Sequence, residues 1–150
     1  MKALILAAGM ASRLRPLTAN TPKCLLKIGE RCLLQRSIDA LIASGIDELV
    51  IVTGFLREKI ESFVVSHYPK LKVTFIFNEV FDSTNNIYSL WLARKEVEGC
   101  DTLLLDSDLL YDPEIIKRIL AEKSPNILTL IKHPLGEEEI KVIVDDKGSI

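Results

Sequence analysis

Residues 2–18 read KALILAAGMASRLRPLT, an apolar run followed by a loop with one glycine and two arginines. The run KALILAA shows no polar alternation, which is typical of a strand buried on both faces of a parallel sheet. Gly9 allows a ligand to approach the backbone closely, and the N–H groups from Ala8 to Ser12 can form an anion-binding nest. Arg13 adds a forked cation suited to phosphate oxygens. The stretch therefore predicts a first strand that ends in a phosphate-binding loop.

Apolar runs and amphipathic segments alternate along the rest of the chain. Further strands are predicted at LVIVTG, KVTFIF, TLLLDSD, NILTLI and IKVIV, and helices at LLQRSIDALIASG, LREKIESFVVSHY, NNIYSLWLARKEV and PEIIKRILAEK. Right-handed crossovers fold such an alternation into an α/β fold, a doubly wound, mostly parallel Rossmann-like sheet with helices on both faces. We expect residues 1–150 to belong to one domain.

Helical spacing assigns particular apolar residues to the core. The predicted core positions of three helices are Leu34, Ile38, Leu41 and Ile42 in the first, Leu56, Ile60, Phe63 and Val64 in the second, and Ile87, Leu90 and Trp91 in the third. Gly45 is predicted to end the first helix. Asp112 and Pro113 predict the N-cap and first residue of the fourth.

Composition excludes several classes of protein. The chain has 48% hydrophobic residues, 27% charged residues and a formal net charge of -2, without the positive excess of a nucleic-acid-binding protein. No apolar stretch approaches the roughly 18 to 20 residues that span a bilayer. The three cysteines lack paired spacing and are read as reduced thiols. We expect a cytoplasmic protein with no nucleic-acid or membrane partner, and homo-oligomerisation is left open.

The phosphate-binding loop belongs to a longer constellation of motifs. The pattern L-A-A-G-x-x-S-R-L-x-P-L-T is followed by Pro22-Lys23 and by LLLDSD at the end of the fourth predicted strand. With these motifs the chain resembles, over essentially all of its length, the nucleotidyltransferase family that makes nucleoside-diphosphate sugars and CDP-alcohols. The resemblance implies that residues 1–150 are the nucleotide-binding portion of a nucleotidyltransferase domain.

The resemblance also implies roles for individual residues. Gly9, Ser12 and Arg13 would cradle the phosphates of a nucleoside triphosphate, and Lys23 would contact phosphate oxygens in the reacting complex. Asp108, with Asp106 close by, would hold Mg²⁺; the alternative is that both carboxylates only cap the strand end. Because a phosphomonoester acceptor carries about −1.5 to −2 charge at neutral pH, it needs no general base. Catalysis is therefore expected from Mg²⁺, Arg13 and Lys23.

Two stretches favour the CTP-using branch of that family. Sugar-phosphate members usually read G-x-G-[TS]-R, whereas this chain has Ala11 at the second glycine. TNNIYSLWLA, residues 84–93, is similar to the N-N-x-Y-S-L segment of choline-phosphate cytidylyltransferases. We expect transfer of CMP from CTP to a small alcohol phosphate such as phosphocholine, with release of pyrophosphate. The alternatives are a sugar-1-phosphate nucleotidylyltransferase and a catalytically silent nucleotide-binding relative.

The same resemblance implies roles for the remaining candidate residues. The nucleotide base is expected near the backbone of Ala7 and Ala8 and a polar side chain from residues 78–86, with Asn85 assigned to the nucleotide. Asn86, Tyr88 and Trp91 are assigned to the phosphorylated acceptor. For Asn85 and Asn86 the alternative role is helix N-cap. For Tyr88 and Trp91, an aromatic box for a quaternary ammonium group competes with simple core packing.

The end of the chain carries its own prediction. Asp145-Asp146-Lys147-Gly148 is a hairpin-type turn, and it stands just before Ile150. A returning strand would be almost absent, so we expect a C-terminally truncated fragment of a longer protein. In the family that the chain resembles, a second acidic metal ligand comes from a later strand.

Overall fold

The computed structural model of the protein describes residues 1–131 and 142–146, and the predicted alternation of strands and helices dominates them. The strands are β1 (Lys2–Ala7), β2 (Lys27–Ile28), β3 (Arg31–Cys32), β4 (Glu48–Thr53), β5 (Lys72–Phe77) and β6 (Thr102–Asp106). The α-helices are α1 (Leu33–Ala43), α2 (Arg57–His67), α3 (Asn86–Val97) and α4 (Glu114–Ala121). Two short 3₁₀ turns cover Ser12–Leu14 and Lys23–Leu25.

The main sheet has the strand order β5-β4-β1-β6, and every neighbouring pair in it is parallel. The chain therefore moves outward from β1 through β4 to β5, and then returns to place β6 on the other side of β1. Such a reversal of direction opens a crevice at the carboxyl ends of the two strands that flank it, β1 and β6. The predicted doubly wound sheet is confirmed, and the crevice lies between the loops that follow β1 and β6.

Alternating side chains of the central strands build a core on both faces of the sheet. On one face Ala3 and Ile5 of β1 pack with the buried residues of α1, α2 and α4. On the other face Leu4 and Leu6 pack with Ala93 of α3. Each fully buried leucine or isoleucine stabilises the fold by roughly 1.5–3 kcal/mol. The prediction of helices on both faces is thereby confirmed.

The predicted helix faces are correct for α1 and α2 except at Ile42 and at Leu56, which precedes α2 as its N-cap with φ 52° and is only partly buried. Leu34, Ile38 and Leu41 of α1 are completely buried, as are Ile60 and Val64 of α2. Gly45 has a φ of +81°, the left-handed conformation that ends a helix without steric cost. Ile42 is 42% exposed, so its assignment to the core was wrong. It lies at the margin of the buried stripe.

The predicted apolar face of α3 is wrong. Ile87 and Trp91 are 73% and 50% exposed, whereas Ser89 and Ala93 are buried against the sheet and Leu90 is only partly buried. The small residues four positions apart let the helix approach the strands closely, and the contacts made by its first residues fix its rotation.

The two last predicted strands are also not found. Residues 126–131 carry no strand, and Ile127 and Leu128 instead line a groove against β6 and α4. An apolar run does not by itself distinguish a strand from an irregular packed segment, since a strand also needs a partner for its backbone groups. Residues 142–144 of IKVIV carry no strand either, and Ile143 is exposed. The remainder of IKVIV and the end of the predicted turn lie outside the described residues.

Two further observations bear on the sequence predictions. Over residues 1–131 and 142–146, no helix has the length and apolar character needed to cross a membrane. Cys24, Cys32 and Cys100 are free thiols, as predicted, and the first two are buried.

Candidate functional site

Two pairs of predicted site residues are in contact beside the crevice between β1 and β6, Lys23 with Asp108 and Asn86 with Asp106. Lys23, on the turn after the first loop, forms an ion pair with Asp108, which follows β6. Both side chains are partly exposed, at 37% and 36%. Residues 85 positions apart in the chain are thus in contact, so the sequence prediction that both belong to one site agrees with the geometry.

The loop after β1 is shaped by a left-handed residue and a buried threonine. Ala11 has φ 48° and ψ 43°, and its carbonyl accepts hydrogen bonds from Leu14 N at 3.0 Å and from Thr18 Oγ1 at 2.8 Å. Thr18 is completely buried. The last residue of the LAAGMASRLRPLT motif therefore fixes the loop conformation, a role that sequence reasoning missed. A threonine at the end of a polar loop has the same sequence appearance whether its side chain is buried, as here, or exposed to solvent.

This loop exposes backbone donors and open space. Within residues 1–131 and 142–146, the N–H groups of Gly9, Met10 and Ala11 donate to no protein acceptor. A Cβ added at Gly9 would meet no atom within 4 Å, and Gly9 does not have a positive φ. The fold itself therefore does not require glycine there. Free donors and open space beside Ser12 and Arg13 suit an oxyanion, as the nest interpretation predicts.

The end of β4 supports the loop from behind. A Cβ at Gly54 would lie 2.5 Å from Ala8 O and 2.7 Å from Phe81 Cβ, so only glycine fits without displacement. Phe55 N donates to Ala8 O at 3.2 Å. One lone pair of the Ala8 carbonyl, expected to be available for a nucleotide base, is already used. Sequence reasoning also missed Gly54, because its constraint comes from a neighbouring strand.

Replacing Ala11 with glycine is expected to stabilise the protein. A left-handed conformation costs a non-glycine residue roughly 1–2 kcal/mol, and the extra unfolded-state entropy of glycine offsets part of the gain. We expect Ala11→Gly to raise the free energy of unfolding by about 0.5–1 kcal/mol, measured by urea denaturation. A loss of stability would show that Ala11 is not held in the left-handed region in solution.

Lys23 is held on a turn that is anchored in the core. Pro22 precedes the turn, and the next side chain, Cys24, is 2% exposed. Burial, together with the nearby Cys32, raises the pKa of the Cys24 thiol to about 12. A thiol that stays protonated at neutral pH is a poor nucleophile. Cys24 therefore anchors the turn, and Lys23 is left at the surface of the crevice.

Two carboxylates stand at the end of β6: Asp106 is its last residue, and Asp108 follows two positions later. Burial and the neighbouring charge of Asp108 raise the pKa of Asp106, and Lys23 opposes this rise. Asn86 Nδ2 donates to Asp106 Oδ1 at 3.2 Å. In the described part of the chain these carboxylates contact Lys23 and Asn86, and no backbone N–H donates to them, so strand-end capping is not observed and metal binding stays a prediction.

The donor set at this point fits Mg²⁺. This ion prefers one or two carboxylates completed by phosphate oxygens and water, and Asp106 and Asp108 supply two neighbouring carboxylates. Among the described residues there is no cluster of three or more acidic, histidine or cysteine side chains that could hold a metal by itself.

The start of α3 connects to the same crevice. Asn85 is the N-cap of α3, and its Oδ1 accepts a hydrogen bond from Tyr88 N at 3.4 Å. The expectation that one of the two asparagines caps the helix is confirmed. Asn86 instead contacts Asp106, so the predicted acceptor residue lies beside the predicted metal ligand.

The two aromatic residues of α3 are not core residues. The rings of Tyr88 and Trp91 stack with centroids 5.6 Å apart and an interplanar angle of 24°. The guanidinium of Arg94 lies 3.8 Å from the centroid of the Trp91 ring. In this arrangement Arg94 already provides a cation for Trp91. An aromatic box for another cation would require Arg94 to move, and the assignment of both rings to an acceptor stays a prediction.

Asn78 holds the loop that leads into α3. It is 1% exposed, and its Nδ2 donates to Thr84 Oγ1 at 3.0 Å and to Ser89 Oγ at 3.2 Å. Its Oδ1 accepts from Val80 N at 3.1 Å. Both amide hydrogens are used, so Asn78 is not the polar side chain expected to contact a base. It positions the segment that ends in Asn85, another role that sequence reasoning missed.

A doubly wound sheet with a phosphate-binding loop and an acidic strand end at its switch point defines the class of nucleotide-binding α/β proteins. Comparison with known proteins identifies the family. The model of the MobA-like NTP transferase domain matches residues 3–139, and the chain belongs to this family. The resemblance read from the sequence motifs is thereby confirmed.

The chain spans about half or less of the length of the relatives that it matches. Choline-phosphate cytidylyltransferase of Streptococcus pneumoniae is 37% identical over 72% of this chain and 44% of that protein. The solved structure of CTP:phosphocholine cytidylyltransferase from the same organism matches with a TM-score of 0.63, over 71% of this chain and 44% of that one. Mannose-1-phosphate guanyltransferase of Gibberella zeae is 30% identical over 75% of this chain and 31% of that protein.

Proposed function

We propose that the protein is a nucleotidyltransferase that transfers CMP from CTP to a small alcohol phosphate such as phosphocholine, with release of pyrophosphate. The observation that carries the proposal is the Lys23–Asp108 ion pair at the switch point, beside a loop with free N–H donors. A lysine, two carboxylates and a phosphate-binding loop in one crevice suit a reaction between two polyanions. The free thiols support a cytoplasmic location.

The residues of the crevice would act by position and charge. The loop N–H groups and Arg13 would hold the β- and γ-phosphates of the nucleotide. Lys23 would exchange Asp108 for phosphate oxygens and stabilise the charge that develops as an acceptor phosphate oxygen attacks the α-phosphorus and pyrophosphate leaves. Mg²⁺, held by Asp106 and Asp108, would supply further neutralisation of the phosphates. No side chain is needed as a general base, because the acceptor is already ionised.

The choice of CTP and of an alcohol phosphate rests on likeness. The TNNIYSLWLA segment and the cytidylyltransferase relative support it. The guanyltransferase relative keeps a sugar-1-phosphate nucleotidylyltransferase as the second candidate. A catalytically silent nucleotide-binding relative is the third, although Arg13, Lys23 and Asp108 are all retained.

A substrate comparison tests the proposal. Cytosine carries an exocyclic amine where uracil carries a carbonyl, and a site built to hydrogen-bond one of them rejects the other strongly. With phosphocholine as the acceptor, we expect the kcat/KM for CTP to be at least tenfold higher than that for UTP, dTTP or ATP. The measurement is pyrophosphate release by the protein that contains residues 1–150. Faster reaction of UTP, dTTP or GTP with a hexose 1-phosphate would replace the proposal with the sugar candidate. Nucleotide binding without turnover would favour the silent relative.

A further inference from the structure

A second cavity lies away from the crevice, between α1 and the segment that connects β6 to α4. Its volume is about 230 Å³, and residues that line it include Arg31, Arg36, Ser37, Ala40, Leu110 and Tyr111. Neither Lys23, Asp106, Asp108 nor the loop after β1 lines it. We call it the α1 cavity.

Unpartnered polar atoms are concentrated at the α1 cavity. In the described part of the chain, three buried side-chain atoms have no hydrogen-bond partner: Arg36 Nε, Ser37 Oγ and Tyr111 Oη. All three residues line the α1 cavity, and Ser37 is 1% exposed. Leaving a buried polar group unsatisfied costs about 1–3 kcal/mol, so native proteins rarely retain one without a partner. Three at one cavity indicate that something else completes their hydrogen bonds.

The hydroxyls of Ser37 and Tyr111 do not satisfy each other's missing hydrogen bonds. Burial raises the pKa of Tyr111, and the nearby Ser37 hydroxyl opposes that rise, so the groups are close. Neither oxygen nevertheless makes a hydrogen bond of normal geometry. A bound molecule that accepts a hydrogen bond from each hydroxyl would complete both.

The chemistry of the lining selects the kind of molecule. Arg36 Nε can only donate, and both hydroxyls can donate as well. Arg31 and Arg36 outnumber the lining carboxylate, Asp39, which already accepts from Arg31 at 3.2 Å and from Tyr68 Oη at 2.7 Å. The cavity is smaller than the roughly 300–1,000 Å³ of typical ligand pockets. We propose that the α1 cavity binds a small oxyanion, a phosphate or a carboxylate, through Arg36, Ser37 and Tyr111.

A short stretch of chain runs from the crevice to the α1 cavity. Leu109 and Leu110 line the cavity and directly follow Asp108. A bound oxyanion would therefore contact the segment that carries Asp108. The proposal does not depend on the proposed function, since none of its residues takes part in that site.

An NMR titration separates the two sites. With inorganic phosphate and, separately, with acetate, we expect the amide resonances of residues 36–40 and 109–113 to shift in the wild-type protein. Arg13→Ala should leave these shifts intact. Ser37→Ala and Tyr111→Phe should each weaken the binding at least tenfold. Shifts with phosphate alone identify a phosphate ligand, and shifts with acetate alone identify a carboxylate ligand.

Stability measurements keep the test independent of misfolding. Because Ser37 Oγ has no partner, Ser37→Ala should leave the Tm unchanged or higher. Ser89→Ala is the matched control, since Ser89 is equally buried but accepts a hydrogen bond from Asn78, and it should lower the Tm. Shifts confined to residues 8–13 and Lys23, no shift with either anion, or unaltered affinity in both cavity variants would overturn the proposal.

Discussion

Asp108→Asn is expected to lower nucleotidyl transfer about 100-fold or more, equivalent to about 2.7 kcal/mol of transition-state stabilisation. Asp108 is the partner of Lys23 and one of two carboxylates at the crevice. An amide retains the size of the side chain but removes the negative charge that would hold Mg²⁺ and orient Lys23. The measurement is kcat/KM for pyrophosphate release at saturating Mg²⁺.

The control for Asp108→Asn is the same chemical change a few residues further along. Asp112 Oδ1 accepts a hydrogen bond from Glu114 N at 3.0 Å and caps α4. Asparagine caps helices about as well as aspartate, so Asp112→Asn should alter neither stability nor activity by much. The Lys23–Asp108 pair is partly exposed, and its loss should cost at most about 1 kcal/mol of stability. Similar activity losses in the two variants would remove Asp108 from the site.

The part of the fold that the sequence predicts well is the part with a strong local pattern. β1 and β4 are nearly continuous buried apolar runs, β5 is a shorter run rich in β-branched and aromatic residues, and their parallel pairing follows from the helices between them. The motif residues Arg13, Lys23 and Asp108 follow predicted strands or turns, which places them at one edge of the sheet. The ion pair of Lys23 and Asp108 agrees with that placement.

What the sequence did not predict depends on contacts between distant segments. The buried face of α3 is set by Ser89 and Ala93, small residues whose value lies in close approach to the sheet. Thr18 and Asn78 are polar residues in loops, and only their tertiary contacts distinguish them from exposed neighbours. Residues 126–131 have the composition of a strand but no paired backbone in the described fold. The hydrophobic pattern of a segment predicts that the segment is buried better than it predicts which other segments it contacts.

Among Gly→Ala substitutions at the glycines that the structure describes, Gly54→Ala is expected to cause the largest loss of stability. The new Cβ would lie 2.5 Å from the backbone oxygen of Ala8 and 2.7 Å from Phe81 Cβ, and the backbone oxygen cannot rotate away. Overpacking of this kind costs typically 1–3 kcal/mol. Because Ala8 is displaced, the loop after β1 moves with it, so nucleotide binding should weaken as well. Urea denaturation and calorimetric titration with CTP measure the two effects.

Gly9→Ala adds the same methyl group to the other side of the same loop and should give the opposite pattern. Its Cβ meets no protein atom within 4 Å and Gly9 does not need a positive φ, so stability should be unchanged or up to about 1 kcal/mol higher. The methyl would occupy the space beside the free N–H donors, and CTP affinity should fall at least tenfold, about 1.4 kcal/mol. Unchanged affinity would mean that the phosphates lie elsewhere. A destabilised Gly9→Ala together with a neutral Gly54→Ala would contradict the loop geometry on which the site depends.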